Sequence, residues 1–155
     1  MTKTGKFTII KAGPEHLEQI IDLEAEAFEE ASWGPDGVRT ALIADSNQAI
    51  LANIGDEVPV GFAIWRLAAD EAEILTLGVI PKARRRGMAA CLLGSLLVDA
   101  ERCGAVALFL EVDGGNEDAI ALYENAGFEV VGARARYYRS GADALVMQKR
   151  LISRH

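Results

Sequence analysis

Residues Glu73 to Val112 read EILTLGVIPKARRRGMAACLLGSLLVDAERCGAVALFLEV, and the changes of periodicity within this stretch decide the architecture. Glu73 to Ile80 is a strand with a glycine inside it, Gly78, and such a glycine marks a bulge or a close backbone approach to a ligand. Ala89 to Cys103 is helical, with Leu92, Leu93, Leu96, Leu97 and Ala100 on one face, and Gly104 ends it. Val106 to Val112 is a near-continuous apolar run, as expected of a strand buried on both faces. Strand, helix and strand in this order make a right-handed βαβ unit with parallel strands.

Between the first strand and the helix lies Arg84-Arg85-Arg86-Gly87-Met88-Ala89. With Lys82, the arginines put four positive charges within five positions. At a strand-to-helix junction the first N–H groups lack intrahelical partners and point outward with the positive end of the helix dipole. A pyrophosphate satisfies such donors. Gly87 removes a side chain so that backbone can close on the oxygens, Ala89 is nearly as bare, and the arginines add permanent charge. The turn contains neither GxxxxGK[ST] nor GxGxxG, which excludes a Walker turn and a Rossmann fingerprint.

Outward from this unit, Phe7 to Lys11 is a strand, and Gly13-Pro14 starts a helix. Leu17, Ile20, Ile21, Glu24 and Phe28 mark its inner side, with Glu24 as the polar exception. Glu15, Glu18, Asp22, Glu26 and Glu29 form an acidic stripe, which is either a wet face or an attraction for a basic peptide. Ser32 to Pro35 is a break, and Asp36 to Asp45 is a second short helix. Gln48 to Asn53 and Val58 to Leu67 pair as a hairpin around Gly55-Asp56-Glu57. After the βαβ unit come a helix over Glu117 to Ala126, capped by Asn116, and strands near Phe128 to Tyr138 and Ala142 to Lys149. The order β-α-α-β-β-β-α-β-α-β-β predicts one α+β domain over residues 1–155, with a mixed central sheet flanked by helices.

Composition is that of an ordinary globular chain: 155 residues, half hydrophobic and a quarter charged. No apolar run approaches the roughly 20 residues needed to cross a bilayer, and the leading MTKTGKF lacks the apolar stretch of a secretory signal. A cytoplasmic location is the expectation. The net charge of −7 disfavours nucleic acid and anionic membrane as partners. Cys91 and Cys103 fall in one helix about 18 Å apart, beyond the ~7 Å reach of a disulfide, and read as small buried apolar residues. His16 and His155 have no metal-ligand spacing around them, so no metal is expected.

Two side chains of the C-terminal half are candidates for acid–base chemistry. Glu111 sits at the C-terminal end of an otherwise apolar strand, where ligands bind in parallel α/β units. It is either a general base or a carboxylate emerging into solvent. Tyr123 is either a proton donor or a core aromatic, since it lies at helical spacing with Ala119, Ile120 and Ala126. Asn116 is favoured as a helix N-cap whether or not it also meets a ligand.

The turn Arg84 to Ala89 resembles the [QR]xxGx[GA] motif of the GNAT N-acetyltransferases, which binds the pyrophosphate of coenzyme A. From Glu71 to Leu151 the chain resembles the bacterial ribosomal-protein-alanine N-acetyltransferases of the RimI type. The stretches that carry this are ILTLGVIPKARRRGMAACLL, LFLEVDGGNEDAIALYENAGFEVVGARARYY and DALVMQKRL. The resemblance implies that Glu111 is the base and Tyr123 the acid that protonates the thiolate. It implies that Asn116 contacts the cofactor and that Leu77, Gly78 and Val79 pair with the pantetheine arm, the Val79 N–H facing the thioester oxygen. Arg84, Arg85, Arg86, Gly87, Met88 and Ala89 would hold the pyrophosphate. Trp33, in the turn through which the N-terminal half matches, and the double tyrosine Tyr137 and Tyr138 would border the acceptor. Three places depart from the family pattern: Ala89 for the usual glycine, Asp113-Gly114-Gly115 for a stretch that usually carries an arginine, and a short segment from Arg139 to Asp143.

The expected activity is transfer of acetyl from acetyl-CoA to the N-terminal α-amine of a protein, in one ternary complex. The alternatives are a small-molecule amine acceptor, such as an amino acid, polyamine or aminoglycoside, and a coenzyme A-binding regulatory protein without catalysis. The oligomeric state is not legible.

Overall fold

The computed structural model describes residues 2–4, 7–55, 58–135 and 141–151. Its contacts gather into two compact units, one running up to Arg66 and including Leu75–Leu96, the other formed by Leu67–Ile74 with the chain from Leu97 onward.

In the first unit the strands lie in the order β1 (Thr2–Thr4), β2 (Phe7–Ala12), β3 (Asn47–Ile54), β4 (Pro59–Ala68) and β5 (Glu71–Val79). The pairs β1/β2, β2/β3 and β3/β4 are antiparallel, and the last has an irregularity between Ala52 and Asn53. Every residue of β4 from Val60 to Trp65 is buried, because a helix covers each of its faces. On one side Phe62 meets Phe28 of α1 (Leu17–Phe28) edge-on, with ring centroids 6.3 Å apart. On the other, a side chain at Gly61 would stand 3.0 Å from Leu92 and 3.3 Å from Met88, both in α3 (Met88–Arg102). Burial of the large side chains here, Phe62, Trp65, Leu92, Leu93 and Leu96 among them, contributes roughly 1.5–3 kcal/mol apiece.

Helix α1 buries Ile20, Leu23, Glu24 and Ala27, and the acidic stripe faces water as a wet surface would. It ends at Glu29, whose φ of 51° and ψ of −114° turn the chain sharply. The second helix, α2 (Gly34–Ile43), has Pro35 in its first turn and buries Val38 and Leu42. Asn47 closes its far end, its Nδ2 donating to the Ala41 carbonyl at 2.7 Å.

In the second unit the strand order is β5, β6 (Ala107–Asp113), β8 (Ala144–Arg150) and β7 (Glu129–Arg134). The β5/β6 pair is parallel from Glu71↔Ala107 to Glu73↔Phe109, and β6/β8 and β7/β8 are antiparallel, so the sheet is mixed. Helix α4 (Glu117–Asn125) begins at Asn116, whose Oδ1 accepts from the Ala119 N–H at 3.1 Å. The left-handed Gly127, φ 99°, follows its end.

Four expectations are corrected. A three-residue strand, Thr2–Thr4, adds one to the expected order; it is too short to carry a pattern. The strand expected to reach Tyr138 ends at Arg134, and residues 136–140 lie outside those described. Strand β6 is not buried on both faces: Leu108, Leu110 and Val112 are buried while Phe109, Glu111 and Asp113 alternate with them half-exposed. Cys91 is half-buried and Cys103 exposed, because Cys103 lies past the last helical residue, in the turn to Gly104, and not on the leucine face.

The left-handed conformation of Glu29 is one that glycine adopts freely, and a non-glycine residue there carries roughly 1–3 kcal/mol of strain. Glu29→Gly is expected to stabilise the protein by about 1 kcal/mol after the flexibility of glycine in the unfolded chain is subtracted. Thermal unfolding should show a melting temperature about 2–4 °C higher. A lower value would mean that the Glu29 side chain holds the turn by contacts of its own.

Candidate active site

The basic turn is built by two left-handed residues. After Val79 the chain makes a short 3₁₀ turn, Pro81–Ala83, and Arg84 is extended. Arg85 and Gly87 then take φ values of 64° and 82°, and α3 begins at Met88, which is buried beneath Gly61. The first helical bond of this end is the Cys91 N–H to the Gly87 carbonyl, 3.0 Å. The amides of Met88, Ala89 and Ala90 therefore precede any i−4 partner. A side chain at Gly87 would meet no atom within 4 Å, so the bare backbone there faces open space. These features suit an anion with several oxygens.

The arginines divide their work. Arg84 donates from Nε to the Val79 carbonyl at 2.9 Å and from Nη2 to the Ala27 carbonyl at 2.7 Å. Ala27 is in the last turn of α1, where carbonyls have no intrahelical donor and a cation is favoured. The guanidinium of Arg84 is thus turned onto the protein backbone, where the sequence reading had all three arginines serving a phosphate. Arg85 and Arg86 are exposed and make no side-chain hydrogen bond or ion pair among the described residues.

Gly78 has a packing explanation. A side chain there would stand 3.0 Å from both Phe28 and Phe62 and 3.1 Å from Ala27, so the glycine lets α1 seat against β5 and its bareness is not left open for a ligand. Leu77 beside it is half-buried and Val79 buried.

Trp33 occupies the position before α2 and is 44% exposed. With Asp36, Thr40, Asn47, Arg66 and Leu75 it lines a cavity of 610 Å³. Its backbone N–H donates to the carboxylate of Glu24, a residue that the sequence reading noted only as an exception on an apolar face.

Glu111, Tyr123 and Asn116 belong to the second unit. Glu111 shares its face of β6 with Phe109 and Asp113, and its Oε2 lies 3.1 Å from Nη2 of Arg134. Arg134 was not singled out from the sequence. It reaches that face because Val131 is an extra residue in β7, between the pairs Val130↔Met147 and Gly132↔Val146. Tyr123 is 8% exposed and packs edge-on against Phe128 at 5.7 Å, the surroundings of a core aromatic. Asn116 is the N-cap of α4, with its own N–H bonded to the Asp113 carbonyl at 2.9 Å. In the divergent Asp113-Gly114-Gly115 turn, Asp113 Oδ1 accepts from the Gly115 N–H at 2.8 Å, and Gly114 donates to the Asp143 carbonyl at 2.8 Å. Tyr137 and Tyr138 lie outside the described residues. Among the described residues no group of three or more His, Cys, Asp or Glu is placed to hold a metal, and no helix is long and apolar enough to cross a membrane.

The model of the acetyltransferase (GNAT) family matches residues 17–128. An uncharacterised protein of Mycobacterium leprae is 37% identical over 141 residues, 88% of this chain and 38% of that protein. The N-alpha-acetyltransferase RimI of Mycobacterium tuberculosis is 38% identical over 138 residues, 85% of each chain. This chain thus spans well under half the length of the first relative and most of the second. Among solved structures, the ribosomal-protein-S18-alanine N-acetyltransferase from Escherichia coli matches with a TM-score of 0.87 at 28% identity, over 96% of both chains. The expected α+β class with a mixed sheet flanked by helices is the fold of that structure.

The division among the arginines is open to a stability test. Arg84→Ala strips two carbonyls of their donor and should cost about 1–2 kcal/mol, the lower range for bonds to a charged group that is itself partly exposed. Arg85→Ala and Arg86→Ala should stay within about 0.5 kcal/mol of the parent. Equal losses on urea unfolding in all three variants would show that Arg84 has no special structural part.

Proposed function

Because the chain belongs to the acetyltransferase (GNAT) family, we propose that it transfers the acetyl group of acetyl-CoA to the α-amine at the N-terminus of a protein, a ribosomal protein beginning with alanine being the first acceptor to test. The observation that carries this reading is the match along nearly the whole chain to the Escherichia coli ribosomal-protein-S18-alanine N-acetyltransferase. It is supported by the motif from Leu110 to Phe128, which retains both Glu111 and Tyr123.

Acetyl-CoA supplies an activated thioester. The amides of Met88 and Ala89, the bare backbone at Gly87 and the side chains of Arg85 and Arg86 receive its pyrophosphate, and Arg84 holds the turn in place. Leu77, Gly78 and Val79 align the pantetheine arm, Asn116 adds a contact from the start of α4, and the Val79 N–H stabilises the oxyanion. Glu111 takes a proton from the acceptor ammonium, freeing the nitrogen lone pair to attack the carbonyl carbon. As the carbon–sulfur bond breaks, Tyr123 gives its phenolic proton to the departing sulfur, and the second proton lost by the nitrogen as the amide forms restores the phenol. A phenol is a weaker acid than a thiol, so this last transfer runs modestly uphill. Trp33, Tyr137 and Tyr138 border the acceptor. The transfer is direct, with no acetylated enzyme, and neither Cys91 nor Cys103 serves as a nucleophile.

The exposed acidic stripe of α1 suits a basic peptide and a polyamine alike, so the acceptor is decided by competition. Acetyl-CoA is offered with an Ala-starting basic peptide, polyamines, amino acids and an aminoglycoside, and free thiol and product mass are followed. The peptide should carry a single acetyl on its α-amine. Turnover on small amines alone would remove the protein acceptor, and coenzyme A binding with no turnover on any amine would point to a regulatory protein. In the same assay Glu111→Gln and Tyr123→Phe should each lower kcat by roughly 10- to 10⁴-fold. An unchanged kcat in both would overturn the assigned roles.

A further inference from the structure

A carboxylate only 1% exposed on the inward face of a helix requires a physical reason, because taking such a group from water is costly unless hydrogen bonds replace the water. Glu24 has them. Its Oε1 accepts from the Ser32 hydroxyl and its Oε2 from the Trp33 backbone N–H. The Ser32 hydroxyl oxygen accepts in turn from the Gly34 N–H at 3.0 Å. One side chain of α1 therefore fixes three consecutive residues of the connection to α2. Trp33 is confined from a second direction as well. A side chain at Gly37 would stand 2.7 Å from the Trp33 Cβ, so α2 packs against the tryptophan with nothing to spare.

Trp33 held this way is 44% exposed and walls the 610 Å³ cavity. A large, flat, amphipathic side chain on a fixed backbone is a contact surface whose ordering entropy has been removed in advance. We propose that Glu24 is a positioning residue of the acceptor site: its buried carboxylate locks Ser32, Trp33 and Gly34 so that the Trp33 indole forms a rigid wall against which the acceptor packs beyond its reacting amine. This rests on the acetyl-transfer reading above. Glu24 touches neither the donor nor the reacting atoms. Its loss therefore acts on acceptor affinity and leaves the chemical step and the donor alone.

The test compares Glu24→Ala, Glu24→Gln and Gly37→Ala with the parent, using the Ala-starting basic peptide. Glu24→Ala and Gly37→Ala should each raise the KM for acceptor about tenfold, with kcat at saturating acceptor and the Kd for coenzyme A within about threefold. Glu24→Gln keeps a carbonyl oxygen for the Trp33 N–H and should recover most of the loss. Trp65, the other tryptophan, is 1% exposed, so acrylamide quenching of the intrinsic fluorescence reports Trp33. Quenching should rise in Glu24→Ala and Gly37→Ala, and acceptor peptide should protect the parent but not these variants.

Should Glu24→Ala fail to fold, Gly37→Ala carries the test, since it displaces Trp33 without touching the buried carboxylate. Parental acceptor KM and quenching in Gly37→Ala would overturn the proposal. So would a fall of kcat and of both affinities in step with the folded fraction, which is the mark of a purely structural residue. If a small amine turns over and the peptide does not, the protein-acceptor reading has failed. The same KM-against-kcat split is then read on that amine.

Discussion

The carbonyl of Ala27 belongs to the last turn of α1, where it has no helical donor, and Arg84 supplies one from 57 residues away. The same guanidinium holds the Val79 carbonyl at the end of β5. Much of the first unit depends on this bridge. It pins the end of α1 beside β5, which brings Phe28 into the space left by Gly78 and against the edge of Phe62. It also sets the point from which α3 departs, since Arg84 is the last extended residue before the left-handed pair at Arg85 and Gly87. A lysine could reach one carbonyl but could not span two with a rigid fork, so the geometry calls for arginine.

A fixed end to α1 makes the buried carboxylate workable. Glu24 lies three residues before Ala27, on a turn of helix that cannot swing, and the chain must double back at Glu29 for Ser32 and Trp33 to meet it. The left-handed strain at Glu29 is tolerated because the surroundings over-determine it: Arg84 holds the helix on one side and Glu24 grips the returning chain on the other. Hydrogen bonds to a charged acceptor are worth roughly 1.5–3 kcal/mol each, so the two made by Glu24 outweigh the roughly 1–3 kcal/mol strain of one unfavourable backbone torsion. Two charged side chains thus shape the connection from α1 to α2.

The parts of this molecule that were legible in the sequence are those that obey a local period. The leucines of α3 announced their face, Gly104 its end and Asn116 the start of α4, because each is decided within one turn of chain. Arg84, Glu24 and Gly78 were misread or passed over for a common reason. Their partners, Ala27, Trp33 and the Phe28–Phe62 pair, are brought to them by the tertiary fold, and a composition window around any of them looks like a ligand loop, an exception or a bulge. The same limit made Val106 to Val112 look uniformly buried: hydrophobicity alone could not say that the face carrying Phe109, Glu111 and Asp113 is only half-covered.

The bulge in β7 is the sharpest case of information that a period cannot carry. Were Val131 paired in the ladder, the register Glu129↔Gln148 and Val130↔Met147 would continue to set Arg134 opposite position 143, on the face of Leu110 and Met147. With it, Gly132 lies opposite Val146, which in turn faces Glu111, and Arg134 points to the same side. One inserted residue flips every later side chain to the other face. Gly132 stands at the shift itself, and a side chain at it would approach only Val146, at 3.8 Å. The cation beside Glu111 is therefore a product of register.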